Sequence, residues 1–345
     1  MRIVYFGWDE FAVPTLMKLA NSTHEVVAVV TRPNEVTLNG VPQAPVAIQA
    51  KKHGFPILGH ENVKTLELIE EVKDLKADLG IVAASGPELS EPLRNAFGGG
   101  CIGIHPSLLP KYRGPSPIAW AILKGEKKTG VTVFRVTDQP YAGPVLVQRE
   151  TMIRPDEIWF ELHYRLARIA CDAIEAALKT LGEDLHYAGV PQDESQATSD
   201  PELEEADCFL RFDESAQTIA LKCRAIWPWP GALSRYVNKK GKVEELKILR
   251  ATAGDASVQV PPGTLTSELK IATADGELEI QQLVLSDGRV AAWQDFVKQR
   301  QVSSGDRFES VAGCSSVGLT THFFLFPPLK HNPYNLPIVH RITSG

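Results

Sequence analysis

Short apolar runs alternate with amphipathic stretches through the N-terminal third of the chain, and this alternation limits the possible folds most strongly. Arg2–Phe6 and Val26–Val30 are short runs rich in β-branched and aromatic residues, typical of buried strands. Between them, Asp9 is a candidate N-cap for a helix through Leu19. A later run, Asp78–Ala84, follows a second amphipathic stretch. This order indicates βαβ units, and therefore an α/β fold with a doubly wound, Rossmann-like, mostly parallel sheet.

The last third of the chain has a different pattern. From Leu233 to Leu285, short alternating segments are separated by glycine turns, which is typical of a small β-barrel of the OB type. A chain of 345 residues also exceeds the usual size of one hydrophobic core. We therefore predict an α/β domain over residues 1–184, a polar linker over 185–205 and a barrel domain over 206–308. For residues 309–345 we expect a poorly ordered extension, with a docking segment as the alternative.

Composition argues against several classes of protein. The net charge of −6 gives no whole-chain signature of nucleic-acid binding, although a local basic patch would suffice. The five cysteines are scattered and lack CxxC spacing, so we expect reduced thiols and no metal. No apolar run reaches the roughly 18 residues of a membrane span, and a strand starts directly after Met1, which leaves no room for a signal peptide. We expect a cytoplasmic monomer without membrane or DNA partners.

The stretch Cys101–Gly130 holds the densest group of reactive residues. An apolar run ends at His105, and three prolines stiffen the loop that follows, because proline fixes φ at about −65°. In open α/β sheets, ligands bind outside the carboxyl ends of such strands. We therefore interpret His105 as a candidate reactive group, with a structural histidine as the alternative.

This part of the chain resembles the signature of the folate-dependent formyltransferases, and most closely that of the methionyl-tRNA formyltransferase family. That signature is Asn-x-His, then Ser-Leu-Leu-Pro, Arg-Gly and a Thr-Gly-Val-Thr strand. The matching residues here are His105, Ser107–Pro110, Arg113–Gly114 and Thr129–Thr132. The similarity continues through the linker at 191–198 and a Pro-Trp-Pro turn at 228–230, so it covers residues 1 to about 308. The resemblance implies that residues 1–184 form the catalytic domain.

Two of the three positions that the family uses for chemistry differ in this chain. The catalytic asparagine falls at Gly103 and the catalytic aspartate at Tyr141, while His105 is retained. Formyl transfer needs donors for a developing oxyanion and groups that move protons. We therefore name three candidate catalytic residues: His105, Tyr141 as an alternative oxyanion donor, and Asp138 as an alternative carboxylate.

The resemblance also implies which residues contact the co-substrate, 10-formyltetrahydrofolate, and it implies no metal. These residues are Ala84, Ser85, Gly86, Leu89, Ser107, Leu108, Leu109 and Pro110. A plain strand-to-helix turn is the alternative for the group that begins at Ala84. Arg113 and Gly114 form the expected substrate loop, where the arginine either orders the loop or contacts the substrate.

By resemblance, the chain transfers a formyl group from 10-formyltetrahydrofolate to an amine. Methionyl-tRNA is the favoured acceptor because both domains match that family. The family's basic tRNA-binding loop corresponds to residues 34–45, which contain no lysine or arginine here, and phosphate contacts depend on such cations. The alternatives are therefore an amino-sugar formyltransferase and a non-catalytic folate- or RNA-binding relative.

Overall fold

The computed structural model describes residues 1–31, 45–59, 63–83, 88–228, 230–256 and 259–310. Three sequence predictions concern residues outside these ranges. They are nearly all of the loop 34–45, the folate candidates Ala84, Ser85 and Gly86, and nearly all of the extension 309–345.

The N-terminal part forms a seven-stranded sheet in the order β3-β2-β1-β4-β5-β6-β7. Its strands are β1 (Arg2–Gly7), β2 (Glu25–Thr31), β3 (Ile57–Gly59), β4 (Leu79–Ala83), β5 (Cys101–His105), β6 (Lys128–Arg135) and β7 (Val145–Met152). Strands β1 to β5 pair in parallel, whereas β6 and β7 are antiparallel. The chain reverses its direction of travel across the sheet between β1 and β4, where α/β folds bind ligands. The predicted mostly parallel α/β sheet is confirmed.

Helices cover both faces of this sheet. They are α1 (Ala12–Ala20), α2 (Pro45–Lys52), α3 (Leu66–Asp74), α4 (Glu91–Arg94), α5 (Pro117–Leu123) and α6 (Trp159–Glu183). Ile3 and Tyr5 of β1 pack in the cluster that contains the buried residues of α1, α5 and α6. Val4 and Phe6 pack with α3 and α4 on the opposite face. Both faces of the central strand are therefore buried, which explains its continuous apolar run.

Helix α1 begins later than the sequence predicted. Its N-cap residue is Phe11, and no side chain caps its first turn. The Asp9 carboxylate instead accepts a hydrogen bond from the Phe11 amide at 3.1 Å. Asp9 therefore stabilises the turn between β1 and α1, and the prediction that it caps the helix is wrong.

The C-terminal part is an antiparallel sheet in the order β10-β11-β9-β8-β13, with β12 paired to β11. Its elements are α7 (Ala216–Ala225), β8 (Ala232–Val237), β9 (Val243–Gly254), β10 (Ile271–Ala272), β11 (Glu277–Val284), β12 (Val290–Ala292), α8 (Trp293–Arg300) and β13 (Arg307–Glu309). Bridges from Thr264 to Arg307 and from Leu265 to Ile271 connect the two outer strands. The sheet is thus nearly closed, which confirms the predicted small β-barrel.

The linker packs against the N-terminal sheet and its loops. Val190 exchanges two backbone hydrogen bonds with Val145, at 2.7 and 2.8 Å. Further along, the carbonyl oxygen of Pro201 accepts a hydrogen bond from the Trp120 indole at 2.7 Å. Between these two points, the Thr198 amide donates to the carbonyl oxygen of Pro110 at 3.2 Å, so the linker also contacts the loop that follows His105.

Candidate active site

His105 is the last residue of β5 and is only 4% exposed. Its Nε2 lies 2.8 Å from the carbonyl oxygen of Tyr112. Since a carbonyl only accepts, Nε2 carries the proton and Nδ1 holds a lone pair. Burial lowers the pKa of His105 to about 4, because desolvation penalises the charged imidazolium. The histidine is therefore neutral at physiological pH, with a fixed tautomer.

Tyr141 covers the imidazole of His105. The two ring centroids are 4.5 Å apart and the planes are tilted by 39°. Burial, and then the negative charge of Glu88, raise the pKa of Tyr141. Its hydroxyl is therefore protonated at neutral pH and can donate a hydrogen bond. The backbone of Tyr141 has φ +59°, an uncommon conformation for a residue with a side chain.

Gly103 lies opposite Phe134 in the antiparallel pair of β5 and β6. A Cβ at Gly103 would lie 2.6 Å from the Phe134 ring, well inside van der Waals contact. The Phe134 ring centroid is also 6.4 Å from that of Tyr141. An aromatic ring therefore fills the space where the resemblance places an asparagine side chain.

Asp138 lies on the turn before Tyr141, and its side chain is 81% exposed. Its carboxylate forms an ion pair with Arg94 at the end of α4. The Arg94 guanidinium also donates to the carbonyl oxygen of Leu89 at 2.5 Å. Arg94 thus connects the turn before Tyr141 with the segment after β4. The interactions that set the pKa of His105 are burial and the Tyr112 carbonyl, so the structure brings Asp138 to Arg94 and does not show it acting on His105.

The loop Ser107–Pro110 follows His105, and its carbonyl groups are paired within the protein. Ser107 accepts from the Thr132 hydroxyl at 2.7 Å, and Leu109 accepts from the Gln148 amide at 2.6 Å. The carbonyls of Leu108 and Pro110 accept from backbone amides. This loop is therefore rigid. Leu89, the other described folate candidate, is 3% exposed.

Arg113 and Gly114 lie under the linker. The Arg113 guanidinium bonds the Gln192 side-chain oxygen at 2.7 and 3.1 Å, and both Glu194 carboxylate oxygens at 2.7 Å. A Cβ at Gly114 would collide with the carbonyl oxygen of Asp200. The arginine therefore orders the substrate loop by holding the linker against it.

An open cleft of about 490 Å³ lies beside Tyr141. Its walls come from the Arg113 loop, the turn that carries Tyr141, and the linker; the lining residues are Arg113, Gly114, Pro115, Gln139, Pro140, Tyr141, Ala142 and Ser199. The Arg113 loop follows the carboxyl end of β5, and ligands of open α/β sheets bind at that edge.

The sequence did not predict Phe134, Arg94 and Gln192 as members of this site, nor Thr198, whose hydroxyl accepts a hydrogen bond from the Tyr112 amide at 2.8 Å. Phe134 reads as one apolar residue of an alternating strand, and only the register of β5 and β6 reveals its partner. Gln192 belonged to a stretch that resembles the family's linker, and that match was the available signal.

Two family models match the chain. Residues 1–178 match the formyl transferase model, and residues 202–301 match the model of the formyl transferase C-terminal domain. The chain belongs to the formyltransferase family. The first match includes His105, Tyr141 and most of the cleft, and the second includes most of the barrel.

Individual relatives extend this result. A methionyl-tRNA formyltransferase from Hydrogenovibrio crunogenus is 36% identical over 309 residues, covering 88% of this chain and 97% of the relative. One from Geotalea uraniireducens is 34% identical over 315 residues, with the same coverage of 88% and 97%. A crystal structure of an N-formyltransferase from Helicobacter canadensis, in complex with folinic acid and dTDP-3-aminofucose, superposes with a TM-score of 0.60. It is 16% identical and covers 81% of this chain and 97% of that chain, so the likeness concerns the fold.

Within the described ranges, no group of three or more His, Cys, Asp or Glu side chains could hold a metal ion. No helix in this part of the chain is long and apolar enough to cross a bilayer.

Proposed function

We propose that this formyltransferase transfers the formyl group of 10-formyltetrahydrofolate to the amino group of methionyl-tRNA. The observation that carries the proposal is the full-length match to methionyl-tRNA formyltransferases, which covers 88% of this chain and 97% of each cited relative. Folate as the donor is supported by an N-formyltransferase of the same fold that holds folinic acid.

The reaction sets the chemistry that the site must supply. The acceptor amine forms a bond to the formyl carbon, and the bond from that carbon to the folate nitrogen breaks. Negative charge develops on the formyl oxygen in between, one proton leaves the attacking amine and one reaches the departing nitrogen. The site therefore needs a base that takes the proton from the amine and passes one to the departing nitrogen. It also needs a hydrogen-bond donor to the formyl oxygen.

We assign the proton transfer to His105. Its Nε2–H is held by the Tyr112 carbonyl, so Nδ1 is the nitrogen that can accept the amine proton. Because burial lowers the pKa of the imidazole to about 4, the charged form readily gives its proton to the departing folate nitrogen. The cycle leaves the histidine neutral again.

We assign to Tyr141 the hydrogen bond that stabilises the formyl oxygen. Its hydroxyl stays protonated because burial raises its pKa. Tyr141 also lines the cleft, and its ring centroid lies 4.5 Å from that of the His105 imidazole. Asp138 has a positioning role in this scheme, since its ion pair with Arg94 fixes the turn that carries Tyr141. We assign the folate site to the loop Ser107–Pro110 and to Leu89. The loop has a fixed shape because its carbonyl groups already have hydrogen-bond partners within the protein.

One observation favours a second candidate function. Phe134 packs where an asparagine side chain would donate to the oxyanion, and loss of one such donor typically lowers the rate by about 10²–10³. A protein that binds folate or RNA without turnover, or one that formylates another amine such as an amino sugar, is therefore the competing proposal.

The two candidates differ in a formylation assay with purified protein and 10-formyltetrahydrofolate. Methionyl-tRNA and a dTDP-amino sugar are supplied separately as acceptors, and His105→Ala serves as the control. Formylation of methionyl-tRNA that the control lacks supports our proposal. Transfer to the sugar alone shows a different acceptor, and retained folate binding without transfer to either supports the binding protein.

A further inference from the structure

The side-chain amide of Gln192, in the linker, makes four hydrogen bonds. Its oxygen accepts two from the Arg113 guanidinium, at 2.7 and 3.1 Å. Its nitrogen donates to the carbonyl oxygens of Tyr141 and Gly143, at 2.8 and 2.7 Å. Both hydrogens and both lone pairs of the amide are therefore used, and one side chain joins the substrate loop to the turn that carries Tyr141.

The bond to the Tyr141 carbonyl acts on a strained residue. Tyr141 has φ +59°, and a residue with a side chain keeps such a conformation only where its surroundings impose it. The two carbonyls that Gln192 holds flank Ala142, so they fix the peptide plane that follows Tyr141. That plane sets the direction in which the Tyr141 ring leaves the backbone and covers His105.

The linker holds the other side of His105 as well. Tyr112, whose carbonyl orients the imidazole, also has a positive φ, at +60°. The Thr198 hydroxyl accepts from the Tyr112 amide at 2.8 Å, and the Thr198 carbonyl accepts from the Arg113 amide at 2.7 Å. The two tyrosines that contact His105 are thus both held by the segment 192–198.

We propose that Gln192 is a positioning residue for formyl transfer, which keeps the Tyr141 turn over His105 by linking it to Arg113. The inference rests on the proposed function and goes beyond it, because it makes the linker between the two domains part of the catalytic geometry. Gln192 is not among the residues that line the cleft, so it acts through the Tyr141 turn.

Two substitutions separate the bonds that Gln192 makes. Gln192→Glu keeps an acceptor for Arg113 but removes the donors to Tyr141 and Gly143. Gln192→Met keeps the length of the side chain and removes all four bonds without adding a charge. Glu194→Gln is the matched control, because Glu194 bonds the same arginine from two residues away and is 67% exposed.

The first readout is steady-state formylation. We expect kcat to fall by about 10- to 100-fold in both Gln192 variants, since a small misplacement of a catalytic group can cost about 10²-fold. The Kd for folinic acid should stay within about threefold of wild type, because none of the four hydrogen bonds of Gln192 reaches Leu89 or the loop Ser107–Pro110. Glu194→Gln should keep kcat within about threefold.

The second readout does not need turnover. In protein labelled with ¹³C-histidine, NMR follows the protonation of His105, assigned by its loss in His105→Asn. The wild-type pKa is lowered to about 4 by burial, and displacing Tyr141 exposes the ring to water. We expect the midpoint to rise by at least one pH unit in both Gln192 variants and to stay unchanged in Glu194→Gln.

The readouts distinguish failure of this inference from failure of the proposed function. Folded Gln192 variants with wild-type kcat and an unchanged His105 midpoint would overturn the positioning role. A rise in Gln192→Glu alone would also overturn it, because that pattern reports the added charge. If the wild type transfers no formyl group, the function fails while the titration still decides the role of Gln192. If Gln192→Met does not fold, Gln192→Asn takes its place, because its shorter, uncharged amide cannot reach both Arg113 and the Tyr141 turn.

Discussion

At the scale of single residues, the ring of Phe134 packs against Gly103, the position where the resemblance expects an asparagine. The glycine is needed because a Cβ would lie 2.6 Å from the Phe134 ring. We predict that Gly103→Asn lowers the free energy of unfolding by about 1–3 kcal/mol through overpacking. Phe134→Leu should relieve the clash, so the double variant loses less than the sum of the two single losses. Urea unfolding of all four proteins measures this, and strictly additive losses would contradict it.

His105 gives a second prediction at this scale, concerning pH. Its pKa is about 4 when folded, against an ordinary value of 6.5, so the unfolded chain binds more protons between these values. The free energy of unfolding is therefore highest above pH 6.5 and decreases as pH falls toward 4. Between pH 7 and 5 the loss amounts to about 2 kcal/mol.

Urea unfolding of wild type and His105→Gln at pH 7 and pH 5 tests this. The wild type should lose about 2 kcal/mol more than the variant. His163 is also buried, and burial lowers its pKa to about 4, but it acts equally in both proteins and cancels. Equal losses in the two proteins would show that His105 titrates normally.

At the scale of elements, the linker packs against the N-terminal sheet and its loops. Gly114 approaches the carbonyl of Asp200 so closely that no Cβ fits between them. We predict that Gly114→Ala detaches the linker, lowers the unfolding free energy by about 1–3 kcal/mol and makes residues 192–200 sensitive to proteases. Gly98→Ala is the matched control, because a Cβ there meets nothing within 4 Å. Similar protease sensitivity in both variants would refute the docking role of Gly114.

Most elements could be predicted from the sequence, because apolar periodicity reports which faces are buried. The run Val26–Val30 reads as a strand buried on both faces, and it forms the middle of β2. Asp9 misled the prediction of α1, since an aspartate bonds the amide two residues ahead in a turn as readily as it caps a helix. The linker reads as polar because many of its contacts are hydrogen bonds, which leave no apolar pattern.

At the scale of the whole molecule, one arginine of the C-terminal part contacts the start of α6 and the segment before it. Arg250 on β9 donates to the Asp156 carbonyl at 2.7 Å and pairs with Glu161. We predict that Arg250→Ala costs about 1–3 kcal/mol, because it removes the hydrogen bond to the Asp156 carbonyl and the part-buried ion pair with Glu161. The control Arg235→Ala breaks only an exposed pair with Glu245 and should cost less than about 1 kcal/mol. Thermal unfolding compares them, and equal losses would argue against this contact between the domains.

The candidate site was less predictable than the fold, because some of its residues come from distant parts of the chain. His105 and Tyr141 could be found because each occupies a position in a linear motif. The ring of Phe134 and the amide of Gln192 reach the site from distant parts of the chain, through cross-strand register and a folded linker. Such neighbours depend on tertiary geometry, which one sequence does not encode in any local pattern.

We propose that neutral His105 and the Tyr141 hydroxyl together carry out formyl transfer to methionyl-tRNA. Single-turnover formylation by wild type and by Tyr141→Phe tests it most directly, because phenylalanine keeps the ring over His105 and removes only the donor. We predict formylation by the wild type and a rate about 10²–10³ lower in the variant, with folinic acid binding unchanged. A wild type that forms no formylmethionyl-tRNA would contradict the proposed acceptor, and a variant as fast as the wild type would contradict the role of the Tyr141 hydroxyl.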